Sequence, residues 1–332
     1  MKVVVSGATG FLGNNLVRKL VDLGFDVTCI KRSGSSSKFL ADCKLTWVED
    51  DFKDPGILTE LLADAAVMYH CAAKVGTANK ATAAMVKANV DVTRTVLAAH
   101  EVQNHCRLVH CSTIATCAVS HDGRNVTEKD HWNFDKYGMN SGYTVTKRMA
   151  ENLVLDGARR GLAAVVVNPC YMFGPGDASF SSCRMILDIC NGKIPAYPGG
   201  GNNFVDVRDV AAGMILAAAK GRPGSRYILG GENLSYQQVF DKIARIANVK
   251  PVSKKMPVFL GKVFGLLGDA KEYVTGRDSL LNSTGIAWSF ANCRYSSQKA
   301  IDELGYSAGS IDEAIEAACL WFAENGYLEL SR

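Results

Sequence analysis

Along the first half of the chain, short apolar runs rich in β-branched residues alternate with longer segments whose apolar positions recur at helical spacing. The runs are KVVVSG (2–7), DVTCIK (26–31), LTWVED (45–50), AVMYHCA (66–72), RLVHCS (107–112) and AAVVVNP (163–169). Helical periodicity begins at Phe11, Asp54, Asn79 and Ser141. Continuously apolar strands bury both faces, and strands separated by helices pair in parallel. The pattern predicts the α/β class, a doubly wound parallel sheet. After Pro169 helices predominate, near 179–191, 206–220, 235–247, 257–275, 296–304 and 310–325, with RYILGG (226–231) as a single returning strand. A main unit over 1–170, with a returning segment near 203–232, is therefore expected beside a smaller, mostly helical region over 171–202 and 233–332.

Composition narrows the picture without naming a chemistry. The 332 residues are 48% hydrophobic and 21% charged, ordinary for a globular chain with one large core and a smaller appended region. The formal charge of +4 comes from scattered lysines and arginines, so no nucleic-acid partner is expected. Of the eleven cysteines, Cys29, Cys71, Cys111 and Cys170 lie in or beside strand-like runs and none forms a CxxC pair. They read as free buried thiols, and the start MKVVVSGATG reads as a strand and turn, not a signal peptide; a cytoplasmic location is expected. AAGMILAAA and MPVFLGKVFGLLG are too short to span a bilayer.

The first segment with chemistry is SGATGFLG (6–13), in which Gly7, Gly10 and Gly13 stand between a strand and a helix. Such a turn brings backbone N–H groups and the helix dipole to a pyrophosphate. The expected binding set is Gly7, Thr9, Gly10, Phe11, Leu12 and Gly13, so the main unit is a dinucleotide-binding Rossmann domain and the rest the substrate region. Sites for NAD place a carboxylate about 20 residues on. Here the second strand ends in CIKRSGSSSK, whose Arg32 and hydroxyls suit a 2′-phosphate, and NADP(H) is the expected cofactor. Asp51 and Phe52 end the third strand, and Asp51 has two open readings, an adenine contact or a cap for the helix after Pro55. Cys71, Ala72 and Ala73 in HCAAKVG (70–76) allow backbone to pass beneath a cofactor, or a helix to pack closely. Asn89 reads as satisfying buried backbone at a helix bend.

In SGYTVTKRMAEN (141–152), Tyr143 and Lys147 are four apart and share a helix face. An adjacent ammonium favours the phenolate of a tyrosine whose ordinary pKa is about 10. Together with the glycine turn and Thr113 in CSTIATCAVS (111–120), this pair resembles the extended short-chain dehydrogenase/reductase family. GATGFLG, YTVTK followed by Ala150 and Glu151, NPCYMFGPGD (168–177) and NFVDVRDVA (203–211) match in order along nearly the whole chain. The texture is nearest the dihydroflavonol reductase-like and hopanoid-associated epimerase-like branch, with 3β-hydroxysteroid dehydrogenases further off.

The resemblance implies that Tyr143 is the general acid/base and that Lys147 holds the nicotinamide ribose and lowers the tyrosine's pKa. It also implies that a strand-end hydroxyl polarises the substrate oxygen. The family usually carries Ser-Ser or Ser-Thr there; Ser112–Thr113 assigns that contact to Thr113, with Ser112 beside it as a substrate contact. Pro169 falls beside the cofactor, and Tyr171, Met172 and Phe173 either line the substrate pocket or belong to the core. MPVFLGKVFGLLG is an apolar lid or a packed helix, and Arg184 and Arg208 meet a nucleotide-sugar diphosphate or, for Arg208, form a turn with Asp206 and Asp209. The function expected is an NADP(H)-dependent reductase or dehydrogenase of a ketone or aldehyde on a small, fairly apolar metabolite. A nucleotide-sugar epimerase or dehydratase with tightly bound NAD(P) is the alternative. The expected partner is a small-molecule substrate, with a homodimer as the expected assembly and no metal.

Overall fold

The computed structural model describes residues 1–120, 122–279 and 281–329. The first half runs β1 (Lys2–Ser6), α1 (Phe11–Asp22), β2 (Asp26–Lys31), β3 (Thr46–Glu49), α2 (Pro55–Leu62), β4 (Val67–His70) and α3 (Ala83–Met85). A π-helical turn (Val86–Asp91) carries α3 straight into α4 (Val92–Val102), followed by β5 (Arg107–Cys111), α5 (Gly142–Arg159) and β6 (Ala164–Pro169). The second half contains β7 (Tyr171–Phe173), α6 (Arg184–Cys190), β8 (Gly201–Asp206), α7 (Val207–Lys220), β9 (Arg226–Leu229) and β10 (Glu232–Ser235). It ends with α8 (Tyr236–Ile246), α9 (Val258–Thr275), α10 (Ser283–Phe290), α11 (Gln298–Leu304) and α12 (Ile311–Glu324).

The main sheet has the order β3-β2-β1-β4-β5-β6-β9, and every pairing in it is parallel. Its residues alternate between two cores: Val3 and Val5 of β1 face one, Val4 the other. Burial on both faces is why these strands read as unbroken apolar runs. The strand order reverses between β1 and β4, which opens a crevice above their carboxyl ends.

The second half is mostly helical, as expected, but it holds more than the one returning strand. β9 does return to the main sheet, but β10, β8 and β7 form a second, three-stranded sheet. β8, GNNFVD, hides its strand character behind two asparagines, both buried. Asn203 accepts the Gly231 N–H at 2.8 Å and donates to the Gly231 carbonyl at 3.2 Å, so a polar residue satisfies the neighbouring backbone. The helix expected over 179–191 begins only at Arg184. Asp177 is the reason: its carboxylate accepts the N–H groups of Ser181 (3.0 Å) and Cys183 (2.9 Å), closing the preceding residues into a loop. The short helix α10 lies outside every segment expected to be helical.

Candidate active site

Gly7 and Gly13 are needed by the turn itself. A Cβ on Gly7, whose φ is +71°, would lie 2.6 Å from the Ala72 nitrogen across the crevice, and one on Gly13 would lie 2.0 Å from the Gly7 carbonyl oxygen. Gly10 differs: it is exposed, and it starts α1 with no side-chain cap and no acidic residue in the first turn. The amides of Phe11, Leu12 and Gly13 are thus left for an anion, while the Phe11 and Leu12 side chains are buried in the core. Thr9 is half-buried in the same turn. Facing them across the crevice, Cys71 donates its N–H to the Ser6 carbonyl at 3.1 Å, and Ala72 and Ala73 carry the backbone away from β4. These groups fit a dinucleotide pyrophosphate.

Arg32, at the end of β2, is exposed and forms no ion pair among the described residues, whereas the adjacent Lys31 is paired with Glu49 at 3.3 Å. Asp51 is not the cap of α2. That role belongs to Asp54, which accepts the Gly56 N–H at 3.0 Å, while Asp51 pairs with Lys53 at 2.5 Å on the surface. Buried Asp50 accepts the Phe52 N–H at 2.9 Å and holds Phe52 at φ +60°. Asp50 thus organises the turn in which Asp51 and Phe52 lie.

At the end of β5 the chain turns through Ser112 and Thr113 into a short 3-10 segment, Ile114–Thr116. The Thr113 hydroxyl oxygen accepts the Ala115 N–H at 3.2 Å, and the same side chain lies beside the Tyr143 phenol. Tyr143 lies in the first turn of α5, which Ser141 caps by accepting the Thr144 N–H at 3.2 Å. Burial pushes the phenol up from its ordinary value, the neighbouring Cys111 thiol adds to that, and the adjacent Thr113 hydroxyl opposes it. The lowering expected from Lys147 is therefore not the net direction. Lys147 is buried one turn further on and donates to the Cys111 carbonyl at 2.7 Å, and burial pulls its own pKa down.

Ser112 and Thr113 point to different places. Ser112 is buried and its hydroxyl lies 3.3 Å from that of Thr116, inside a polar network beneath the strand end. Thr116 donates to Glu151 at 2.6 Å, Asn168 donates to Glu151 at 2.8 Å, and Arg226 of β9 lies 2.9 Å from the same carboxylate. Ser112, expected as a substrate contact, is thus engaged within the protein. The network supports the Thr113 turn from below, because Asn168 also donates to the Thr113 carbonyl at 3.0 Å. Nothing in local spacing announces it.

On the substrate side Pro169 ends β6, buried and paired in register with Leu229. Tyr171 and Met172 are half-buried, and the Tyr171 hydroxyl donates to the Ser182 carbonyl at 3.3 Å. Phe173 is fully buried with its ring stacked on Phe204, 5.5 Å between centroids, so it is core and not pocket. Arg208 joins Asp206, its Nε 3.0 Å from the carboxylate, and Arg184 pairs with Asp188 at 3.1 Å. Both arginines are engaged by carboxylates close to them in the chain. All eleven cysteines are free thiols. Among the described residues, no His, Cys, Asp and Glu cluster suited to a metal occurs, and no helix is long and apolar enough to cross a membrane.

Two asparagines of α1 had no sequence signal. Asn14 donates to the Gly176 carbonyl and Asn15 to the Pro175 carbonyl, both at 2.9 Å, tying the cofactor helix to the loop after β7.

Residues 3–230 match the NAD dependent epimerase/dehydratase family. A Synechocystis protein provisionally named a dihydroflavonol 4-reductase is 32% identical over 330 residues, 98% of this chain and 95% of its own. Sterol demethylase protein B of Methylococcus capsulatus is 29% identical over 331 residues, 99% of this chain and 100% of its own. The crystal structure of gox2253 superposes with a TM-score of 0.86 at 31% identity, covering 98% of this chain and 99% of that one.

Proposed function

Because the chain belongs to the NAD dependent epimerase/dehydratase family, we propose that it is an NADP(H)-dependent reductase or dehydrogenase. It interconverts a ketone or aldehyde and an alcohol on a small, fairly apolar metabolite. The observation that carries this reading is the placement of the Thr113 hydroxyl beside the Tyr143 phenol at the carboxyl edge of the sheet, one helical turn from buried Lys147. When bound, the nicotinamide supplies or accepts the hydride. Tyr143 holds the proton at its phenolic oxygen and delivers it to the substrate oxygen as charge develops there. Thr113 turns its hydroxyl hydrogen toward the same oxygen, since its own oxygen is already engaged by the Ala115 N–H. Lys147 places a positive charge beneath the site and holds the ribose.

Support for an apolar substrate comes from the engagement of Arg184 and Arg208, which leaves neither free for a diphosphate, and from full-length similarity to a protein named for sterol demethylation. Support for NADP(H) comes from Arg32, which has no ion-pair partner among the described residues. The test is cofactor stoichiometry. A panel of ketones and aldehydes, followed at the nicotinamide absorbance, is expected to include one consumed with one NADPH per product. Conversion of a nucleotide-sugar with no net absorbance change would overturn the reading in favour of an epimerase or dehydratase.

A further inference from the structure

Helix α9 is built inside out. The positions that face the body of the protein are Gly261, Gly265 and Gly268, all buried, while the bulky apolar side chains point away from it. The inward glycines are there for close approach. A Cβ on Gly268 would lie 2.1 Å from the Leu281 carbonyl oxygen, and one on Gly261 would lie 2.5 Å from the Phe290 ring of α10. On the outside, Phe259 is 65% exposed, Leu266 66% and Val274 81%, with Val263, Leu267 and Tyr273 between and beside them. An ordinary surface helix carries the reverse pattern, and contiguous apolar patches of this kind mark interaction sites.

Charge around the stripe points to one kind of partner. Lys262 falls on one edge of the outward face and Lys271 on the other at helical spacing, and Lys254, Lys255 and Arg277 are exposed at the two ends. Lysines so placed lay their stems along apolar surface and extend their heads to the interface. The two acids of α9 are turned inward and used. Asp269 accepts from Asn79 at 2.6 Å and from the Ser283 N–H at 2.9 Å, and Glu272 accepts from Asn282 at 2.7 Å. The outward face is therefore apolar and edged by Lys262 and Lys271 with no acid of α9 on it, while beyond its end exposed Asp278 stands beside Arg277.

We infer that α9 seats this protein on the surface of an anionic lipid bilayer, lying in the headgroup boundary without crossing the membrane. An apolar face flanked on both edges by lysines is complementary to acyl chains below anionic headgroups. The location gives the contact a use that goes beyond the proposed activity and does not depend on it. Asn79 and Asn282 clamp the α9–α10 pair to the chain leaving β4, Asn282 donating to the Thr77 carbonyl at 2.5 Å. That chain lies against Gly142, where a Cβ would come 2.3 Å from the Lys80 carbonyl, one residue before Tyr143. The membrane-facing surface thus borders the mouth of the candidate site.

Flotation of the full chain with phosphatidylcholine vesicles, with and without phosphatidylglycerol, tests the inference. Binding is expected to the anionic vesicles and to fall at least about tenfold in Lys262→Glu/Lys271→Glu and in high salt. Phe259→Ser/Leu267→Ser is expected to abolish it, with an unchanged thermal melt showing that the fold is intact. Independently of any loss, the tryptophan emission of the Val263→Trp variant should shift to the blue when anionic vesicles are added. Absence of flotation, or flotation indifferent to both double replacements, overturns the inference. So does emission from the Val263→Trp variant that is already blue without vesicles and shifts with protein concentration, which would assign the face to a second copy of the chain.

Discussion

Asn89 brackets the backbone of Lys74: its side chain accepts the Lys74 N–H at 2.7 Å and donates to the Lys74 carbonyl at 3.1 Å. It does so from the π-helical turn between α3 and α4, and it also donates to Thr146 of α5 at 3.0 Å. The bend in the helix aims Asn89 at the chain leaving β4 and pins that chain to the helix carrying Tyr143 and Lys147. Asn89→Ala should therefore cost about 1–3 kcal/mol of stability, since both backbone groups lose a shielded partner. It should raise KM for cofactor and substrate more than it lowers kcat. Urea unfolding and initial rates would check this; an Asn89→Ala enzyme with unchanged KM and stability would remove the bracket's role.

A second prediction separates the two hydroxyls at the end of β5. On the proposed mechanism Tyr143→Phe removes the proton source, and it should lower turnover by roughly 10²–10⁴-fold while NADPH affinity stays nearly constant. Thr113→Val should slow turnover by a similar or smaller factor. Ser112→Ala should act chiefly on thermal stability, because its hydroxyl belongs to the Thr116–Glu151–Asn168 network. Full activity in Thr113→Val with loss in Ser112→Ala would reverse these assignments.

On the proposed reading, cofactor choice rests on Arg32. NADPH should bind more tightly than NADH, and Arg32→Glu should shift the ratio toward NADH by roughly ten- to a hundredfold, as expected when a charged hydrogen bond is replaced by repulsion. Fluorescence titration with each reduced cofactor measures this directly. An unchanged ratio would move the determinant to another group near β2.

Acid sensitivity should come from the histidines under the sheet edge. Burial drives His70 down to about 3 and also holds His110 well below its ordinary value, with the nearby Lys147 ammonium acting in the same direction. In the unfolded chain both protonate near pH 6.5, in the folded chain far lower. Below about 6.5 the unfolded state therefore binds more protons, and stability falls as pH drops from about 6.5 toward about 3, by up to about 1.4 kcal/mol per pH unit for each histidine. Neither ring nitrogen of His110 has a hydrogen-bond partner among the described residues, so His110→Leu should flatten the stability profile between about pH 7 and about pH 4.5. Denaturant midpoints at the two pH values, compared between wild type and variant, provide the test.

The main sheet was legible because each strand is covered by helices on both faces and so is apolar throughout. Tyr143 and Lys147 were legible because both lie on one helix, where spacing converts directly into shared orientation. What escaped depended on distant partners. Asn203 reads as a loop residue until Gly231 is placed beside it. Asn14 and Asn15 read as ordinary helix surface until the carbonyls of Gly176 and Pro175, far along the chain, are brought over them. The distinct directions of Ser112 and Thr113 follow from a turn held by Asn168 and Glu151, groups drawn from two other elements. The helix over 257–275 was legible as a helix, but its glycine side turned inward reverses the burial its composition suggests.

The pair Asn14–Asn15 bears on how such a protein is recombined. A graft that exchanged the substrate half with that of a relative, cut at the end of β6, would separate both amides from the carbonyls they serve, because the donors stay behind in the first helix. Gly176 would lose its fit as well, since at φ +93° a Cβ there would press to 2.6 Å from the Asn14 amide oxygen. The two halves are thus not interchangeable cassettes: a workable chimera must carry the Asn-Asn dipeptide with the GPGD loop as one inherited unit.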